Sequence, residues 1–246
     1  MIKPKKQKIE NRSEETEISE IFSSLQGEGP YLGSKQIFVR FGRCNMHCVY
    51  CDELEKMKEG RFETVSLERL VGEIDALEAA QGPHHSVSLT GGEPLFYTPF
   101  LKSLLPELKA RGMKTYLETN GTLPRELEKV VRWCDVIAMD FKPSSSTGDR
   151  DFFDEHRSFL KTALQKEVFV KLVVTPATDA EEVRRAVRLL SETNPAIPFI
   201  LQPRSDLVGI NKASLDLIEG TLFGIAKASL HDVRVIPQMH KIWGVR

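Results

Sequence analysis

Val87-Ser88-Leu89-Thr90-Gly91-Gly92-Glu93-Pro94 is a short apolar run that ends abruptly in two glycines and a proline. Val87–Thr90 reads as a strand, and the residues after it as a turn at its carboxyl end. Leu101, Leu104, Leu105 and Leu108 then recur at helical spacing, and Lys114–Leu117 is the next strand. Strand, helix and strand in such quick succession form a parallel crossover unit.

The same alternation runs outward in both directions. Toward the C-terminus, helices over Arg125–Trp133, Phe152–Gln165, Ala180–Thr193 and Lys212–Ala228 alternate with strands at Val136–Phe141, Val168–Thr175, Phe199–Gln202 and Val233–Ile236. Toward the N-terminus, Leu67, Leu70, Val71, Ile74 and Leu77 mark a helix with Ser66 as its N-cap. Glu17–Ser23 and Gln36–Phe41 are strands flanking a Gly-rich turn. These units imply an α/β fold, a parallel sheet with outer helices. They are too few for an eightfold barrel, so a partial (open) TIM-like barrel is expected, as one domain over 17–246. Residues 1–16 are almost wholly polar and read as a disordered N-terminal tail.

Composition narrows the class. The 246 residues are 41% hydrophobic, enough for a substantial core. A formal net charge of -1 gives no electrostatic case for nucleic acid. No apolar run reaches membrane-spanning length, and no signal-peptide core is present, so a soluble cytoplasmic protein is expected, with no membrane partner. Four cysteines, three of them clustered, do not resemble a secreted disulfide framework. Cys134, the fourth, follows Trp133 at a helix end and reads as a buried or half-buried thiol.

Ligands of parallel α/β sheets gather at the carboxyl ends of the strands. Thr90-Gly91-Gly92-Glu93-Pro94, Glu118-Thr119-Asn120-Gly121, Asp140-Phe141-Lys142-Pro143 and Gln202-Pro203-Arg204-Ser205 all fall there. Each alone is ordinary turn chemistry; four on one rim make a site. The cysteines stand in Cys44-Asn45-Met46-His47-Cys48-Val49-Tyr50-Cys51, just after the strand ending at Phe41. Three thiolates can hold three irons of a [4Fe-4S] cubane and leave the fourth iron open, whereas electron-transfer clusters use four. A zinc knuckle short of a ligand, a disulfide and three loop thiols are the other readings of the spacing.

The triplet, with Tyr50 before its last cysteine and the Gly-Gly-Glu-Pro turn, resembles the signature of radical S-adenosylmethionine (SAM) enzymes. Ile21-Phe-Ser-Ser-Leu25-Gln26-Gly27-Glu28-Gly29, Phe38-Val-Arg40-Phe41, Glu118-Thr-Asn-Gly121, Asp140-Phe-Lys142 and Val235-Ile-Pro-Gln238-Met-His240-Lys241 resemble the 7-carboxy-7-deazaguanine synthase family more narrowly. That likeness implies a partial barrel of the radical SAM type and conversion of 6-carboxy-5,6,7,8-tetrahydropterin to 7-carboxy-7-deazaguanine with loss of ammonia. It also implies a [4Fe-4S] cluster, SAM and Mg2+ as cofactors, an electron donor such as flavodoxin or ferredoxin, and a homodimer. By the same likeness Cys44, Cys48 and Cys51 ligate the cluster. Tyr50, Gly91, Gly92, Glu93, Asp140, Phe141, Lys142 and the segment Gln202, Pro203, Arg204 and Ser205 bind SAM. Leu25, Gln26, Gly27, Arg40 and Thr90 bind the pterin. The residues alone would make Arg40 a structural ion pair. Where the family usually has a serine or threonine that helps hold Mg2+, this chain has Glu53, a longer and charged oxygen ligand. The Lys/Glu-rich stretch after it lacks the aromatics often found there. A glycyl-radical-enzyme activase is the alternative within the superfamily; a non-catalytic iron–sulfur or zinc module lies outside it. His84, His85 and His240 receive no role.

Overall fold

The computed structural model describes residues 14–53, 59–206 and 209–245. Its strands are β1 (Glu15–Leu25), β2 (Lys35–Phe41), β3 (Glu63–Ser66), β4 (Ser86–Gly91), β5 (Thr115–Thr119), β6 (Val136–Phe141), β7 (Glu167–Val174), β8 (Phe199–Pro203), the short pair β9 (Ser205–Asp206) and β10 (Gly209–Ile210), and β11 (Val233–Val235). Among the described residues a nine-stranded sheet runs in the order β11-β8-β7-β6-β5-β4-β2-β1-β3. All six pairings from β2 to β11 are parallel, while β1 pairs antiparallel with both β2 and β3. The two edges do not meet, so the barrel is open, as the alternation implied.

Helices cover the outer face. The chief ones are α1 (Leu67–Gln81), α2 (Thr98–Ala110), α3 (Pro124–Val130), α4 (Ser144–Thr147), α5 (Phe153–Ala163) and α6 (Ala180–Thr193). The Ser66 hydroxyl accepts from the Arg69 amide and caps α1 as expected. Leu70 and Ile74 of α1, Leu101, Leu104 and Leu108 of α2, and Val183, Ala186 and Leu190 of α6 join one apolar cluster with the strands. Cys134 is buried in that cluster. Among the described residues no helix is long and apolar enough to cross a membrane.

Successive residues of a strand face opposite sides, so each strand contributes two different lists. Leu117, Ile137, Met139, Phe141, Leu172 and Leu201 point outward to the helices. Tyr116, Ala138, Phe169 and Ile200 point inward and form a separate cluster with Tyr31. Two residues further along β5, β6, β7 and β8 come Glu118, Asp140, Lys171 and Gln202, which line the cavity at the top. The interior is therefore apolar below and charged above, on the side where the strands end.

Several boundaries differ from expectation. β1 begins at Glu15, inside the expected tail, because Glu15 and Thr16 pair with Ser66 and Val65. Residues 1–13 of that tail, and residues 54–58 of the Lys/Glu-rich stretch, lie outside the described residues. β3 was not expected: Glu-Thr-Val-Ser has no apolar run, and its strand character comes from pairing with β1. The expected helix over 125–133 is α3 followed by a 3-10 turn at Val131–Trp133. The helix over 212–228 is interrupted at Ile218–Leu222 by wider turns around Gly220.

Leu101 has no exposure between α2 and the sheet. Leu101→Ala is expected to cost about 2–5 kcal/mol, read as a lower urea midpoint at unchanged slope.

Candidate active site

A cavity of about 460 Å³ opens at the carboxyl ends of the strands. Cys44, Cys48 and Cys51 all line it, and none forms a disulfide. The loop that carries them is held by backbone bonds: Cys51 N–H donates to Cys48 O (3.0 Å) and Val49 N–H to Thr147 O (2.9 Å). The thiols do not converge on one point. Among the described residues no three His, Cys, Asp or Glu side chains are grouped to hold a single ion. A cubane asks for no such convergence, because each sulfur meets a different iron. Burial pushes all three thiols up, Cys44 to about 12, so without a metal they stay protonated and would release protons on binding one.

The two glycines of the β4 turn are there for a close backbone approach. Gly91 has φ +110, and a Cβ on Gly92 would lie 2.0 Å from the Arg43 carbonyl oxygen. Gly92 N–H donates to Phe41 O and Glu93 N–H to Arg43 O, pinning the turn to the chain that enters Cys44. The family likeness implied glycines open to a ligand; they are first required by this contact, and both line the cavity. Glu93 behaves differently from expectation. It is wholly buried behind the wall and accepts from Leu95 N–H, Thr119 Oγ1 and Asn120 N–H at 2.8–3.0 Å. Burial raises its pKa to about 7 against those hydrogen bonds. It ties the turn after β4 to the turn after β5.

Tyr50, Asp140, Lys142, Gln202, Arg204 and Ser205 line the cavity, whereas Phe141 and Pro203 do not. The strand period explains this: both are one residue out of step with the inner face, and Phe141 packs outward on Phe153 and His156. On the other wall lie Leu25, Gln26, Gly27, Arg40, Glu53 and Thr90. Gln26 is buried and donates to Gln36 and to Glu118, both at 3.0 Å. Arg40 sits between Glu20 (3.5 Å) and Glu53 (3.3 Å), so the ion-pair reading of this residue and its place on the wall are both true.

The sequence reading gave no individual role to Glu28, Glu118, Gln238 or His240, although each lies in a motif it singled out, and it passed over Lys171 altogether; all five are on the cavity wall. Lys171 stands alone among apolar neighbours in Glu167-Val-Phe-Val-Lys171-Leu-Val-Val, and a lone lysine in a central strand was the available signal. It pairs with Glu28 and, at 3.3 Å, with Asp140, whose other oxygen accepts from Lys142 Nζ at 2.9 Å. Burial alone would raise the Glu28 pKa; Lys171 and the Gln238 amide outweigh it and bring it to about 2. The C-terminal helix α9 (Met239–Trp243; α7 and α8 being Lys212–Leu217 and Phe223–Lys227) leans over this wall. Met239 N–H donates to Gly27 O (2.9 Å), Lys241 pairs with Asp52 (2.7 Å), and a Cβ on Gly27 would meet His240 Nδ1 at 2.5 Å.

Among the described residues, seven buried side-chain polar atoms lack a hydrogen-bond partner. Five of them line this cavity; Arg40 Nε and Asp140 Oδ1 still have the ion pairs to Glu20 and Lys171, whereas Tyr50 Oη, Gln202 Oε1 and Ser205 Oγ belong to no ion pair either. Buried polar atoms are rarely left so, and their concentration here fits a polar ligand that completes them. Donors and acceptors at the strand ends beside three thiols suit a thiolate-held metal group with a polar ligand next to it.

Residues 38–194 match the model of the Radical SAM superfamily, and the chain belongs to it. A 7-carboxy-7-deazaguanine synthase of Geobacter sulfurreducens is 37% identical over 248 residues, covering 93% of this chain and 97% of its own. The synthase of Methanothermobacter thermautotrophicus is 34% identical at the same coverage. Within the superfamily, the chain is a member of the 7-carboxy-7-deazaguanine synthase family. The crystal structure of QueE from Escherichia coli superposes with a TM-score of 0.59 at 20% identity, covering 92% of this chain and 95% of that one, and shares the fold.

Glu28→Gln would leave the Lys171 ammonium with Asp140 as its remaining charged partner, at a cost of about 3 kcal/mol. The lowered Glu28 pKa gives stability that is complete above pH 4.5 and lost as pH falls toward about 2. The reason is that the unfolded chain takes up the proton first. Urea denaturation should show a steeper acid decline in the wild type than in Glu28→Gln over that window; parallel declines would count against the pair.

Proposed function

We propose that this chain converts 6-carboxy-5,6,7,8-tetrahydropterin to 7-carboxy-7-deazaguanine with release of ammonia, a step toward queuosine and other 7-deazapurines. The observation that carries the reading is that three thiols share one cavity with Tyr50 Oη, Gln202 Oε1 and Ser205 Oγ, three buried polar atoms without a hydrogen-bond partner. Cys44, Cys48 and Cys51 hold the [4Fe-4S] cluster and leave one iron for SAM. When bound, the cluster and SAM supply the one-electron chemistry that removes a hydrogen atom from the pterin carbon bearing the carboxylate.

The chain's own residues orient and enclose. The Gly91-Gly92 backbone would hold the methionyl end of SAM, and Tyr50, Asp140, Lys142, Gln202, Arg204 and Ser205, which line the same cavity, would supply its other contacts. Glu93, Phe141 and Pro203 support this wall from behind. Gln26, with its amide already fixed by Gln36 and Glu118, presents an oriented edge to the pterin beside Leu25, Gly27 and Thr90. The Arg40 guanidinium forks onto the substrate carboxylate in exchange for Glu20 or Glu53. The apolar floor of Tyr116, Ala138, Phe169 and Ile200 and the C-terminal helix above keep water from the reacting centre.

The family likeness extends the reading to one catalytic domain over 17–246, a homodimer in the cytoplasm, and a flavodoxin or ferredoxin as reductant. Magnesium is the point of departure. Glu53 is a hard oxygen ligand on the cavity wall, and its carboxylate is paired with Arg40, so a cation there competes with a guanidinium. Magnesium dependence is accordingly weaker or altered.

Anaerobic reconstitution with iron and sulfide, followed by assay with SAM, reductant and carboxytetrahydropterin, tests the proposal. Product is expected from the wild type and no SAM cleavage from Cys48→Ala. A glycyl radical formed only on a partner protein would replace this reading by the activase. Turnover with and without EDTA tests the magnesium statement: complete loss, restored at ordinary magnesium levels, would reject it.

A further inference from the structure

We propose that Asn120 is a hydrogen-bond donor to the Cys44 sulfur and sets the reduction potential at that corner of the cluster; the inference rests on the cluster reading above. Asn120 Nδ2 lies 3.7 Å from Cys44 Sγ and 2.9 Å from Asn45 Oδ1. Which amide atom faces the sulfur decides whether the contact attracts or repels a thiolate, and the surrounding bonds fix it.

The Thr122 backbone N–H has a hydrogen to give and nothing to accept with, so the Asn120 atom 3.0 Å from it is the oxygen. The Thr122 hydroxyl donates to that oxygen as well, at 2.6 Å, and so accepts from Asn45 Nδ2 at 2.8 Å. The remaining Asn45 atom is its oxygen, which takes one hydrogen of the Asn120 amide. The second hydrogen is left for Cys44. Every polarity in this ring follows from one peptide N–H.

The backbone of Asn120 is held from both sides. Its N–H donates to Glu93 Oε2 at 2.8 Å, and its carbonyl accepts from His156 Nε2 at 3.1 Å. His156 has no exposure and lies beneath the turn, against Phe141. Burial pushes its pKa down to about 4, so the ring stays neutral with its proton on Nε2. A Cβ on Gly121 would meet Met139 Cε at 2.9 Å, so the turn has no room to shift toward the helices. Asn120 is therefore an oriented donor on a rigid turn, joining the Met46 N–H, 3.4 Å from the same sulfur. A donor to a ligand sulfur favours the more negative, reduced cluster and moves its potential upward.

The test is an EPR-monitored redox titration of the reconstituted protein without SAM. Asn120→Leu keeps the side chain's shape and removes the donor; its midpoint is expected at more negative potential than the wild type, with iron and sulfide content unchanged. Thr122→Val keeps the amide but removes the hydroxyl that orients it, and a smaller shift of the same sign is expected. Should Asn120→Leu fail to take up the cluster, Thr122→Val decides alone. Wild-type midpoints in the cluster-loaded variants would overturn the inference. A wild-type protein that does not take up four irons would instead overturn the cluster reading on which it stands.

Discussion

One geometric constraint organises this molecule: parallel strands start together and finish together, and each turns alternate residues to the same side. Because β2 and β4 to β8 obey it in register, a polar residue near the end of each strand lands on one rim. Arg40 stands opposite Thr90 across β2 and β4, and Asp140 opposite Lys171 across β6 and β7. The turns beyond them bring in the cysteines, the two glycines and Asn120. The cavity is what the barrel's upper inside becomes when its inward residues change from Tyr116, Ala138, Phe169 and Ile200 to Glu118, Asp140, Lys171 and Gln202.

Such a ring is expensive to bury unless its charges find each other. Lys142, Asp140, Lys171 and Glu28 form an alternating chain across the opening, and the Gln238 amide ends it. Alternation keeps each charge beside an opposite one where the dielectric is low. The same chain joins the wall proposed for SAM to the wall proposed for the pterin. A fold built for stability alone would fill these positions with apolar side chains. Here buried polar atoms without a hydrogen bond, Tyr50 Oη, Gln202 Oε1 and Ser205 Oγ among them, concentrate at the cavity, the mark of a site arranged for a ligand.

Much of this was legible because local pattern and tertiary role coincide. Val87–Thr90 and the leucines of α2 carry their period in sequence, and the structure keeps both elements. Ala180–Thr193 is a helix over the full expected span. The elements that were not legible lack such a period. β3 is a strand only because β1 offers it a paired edge. Lys171 was passed over because a strand reads as its average, and seven of the eight residues of β7 average to an ordinary buried strand or its exposed start. Glu93, Phe141 and Pro203 matched a family pattern, but one step along a strand, or one turn behind it, separates facing the cavity from supporting it.

The amino-acid sequence by itself determined the order of the elements, the open parallel architecture and the family, since periodicity, turn residues and the cysteine spacing are local and survive without coordinates. Tertiary structure alone decided which atoms face the cavity and which way their hydrogens point. Glu28 meets Lys171 across 143 residues, the Asn120 backbone is held by Glu93 and His156, and the Asn120 amide reaches Asn45 and Cys44 across 75 and 76 residues. Those contacts join distant parts of the chain, and no short-range rule of spacing encodes the distance or the direction between them.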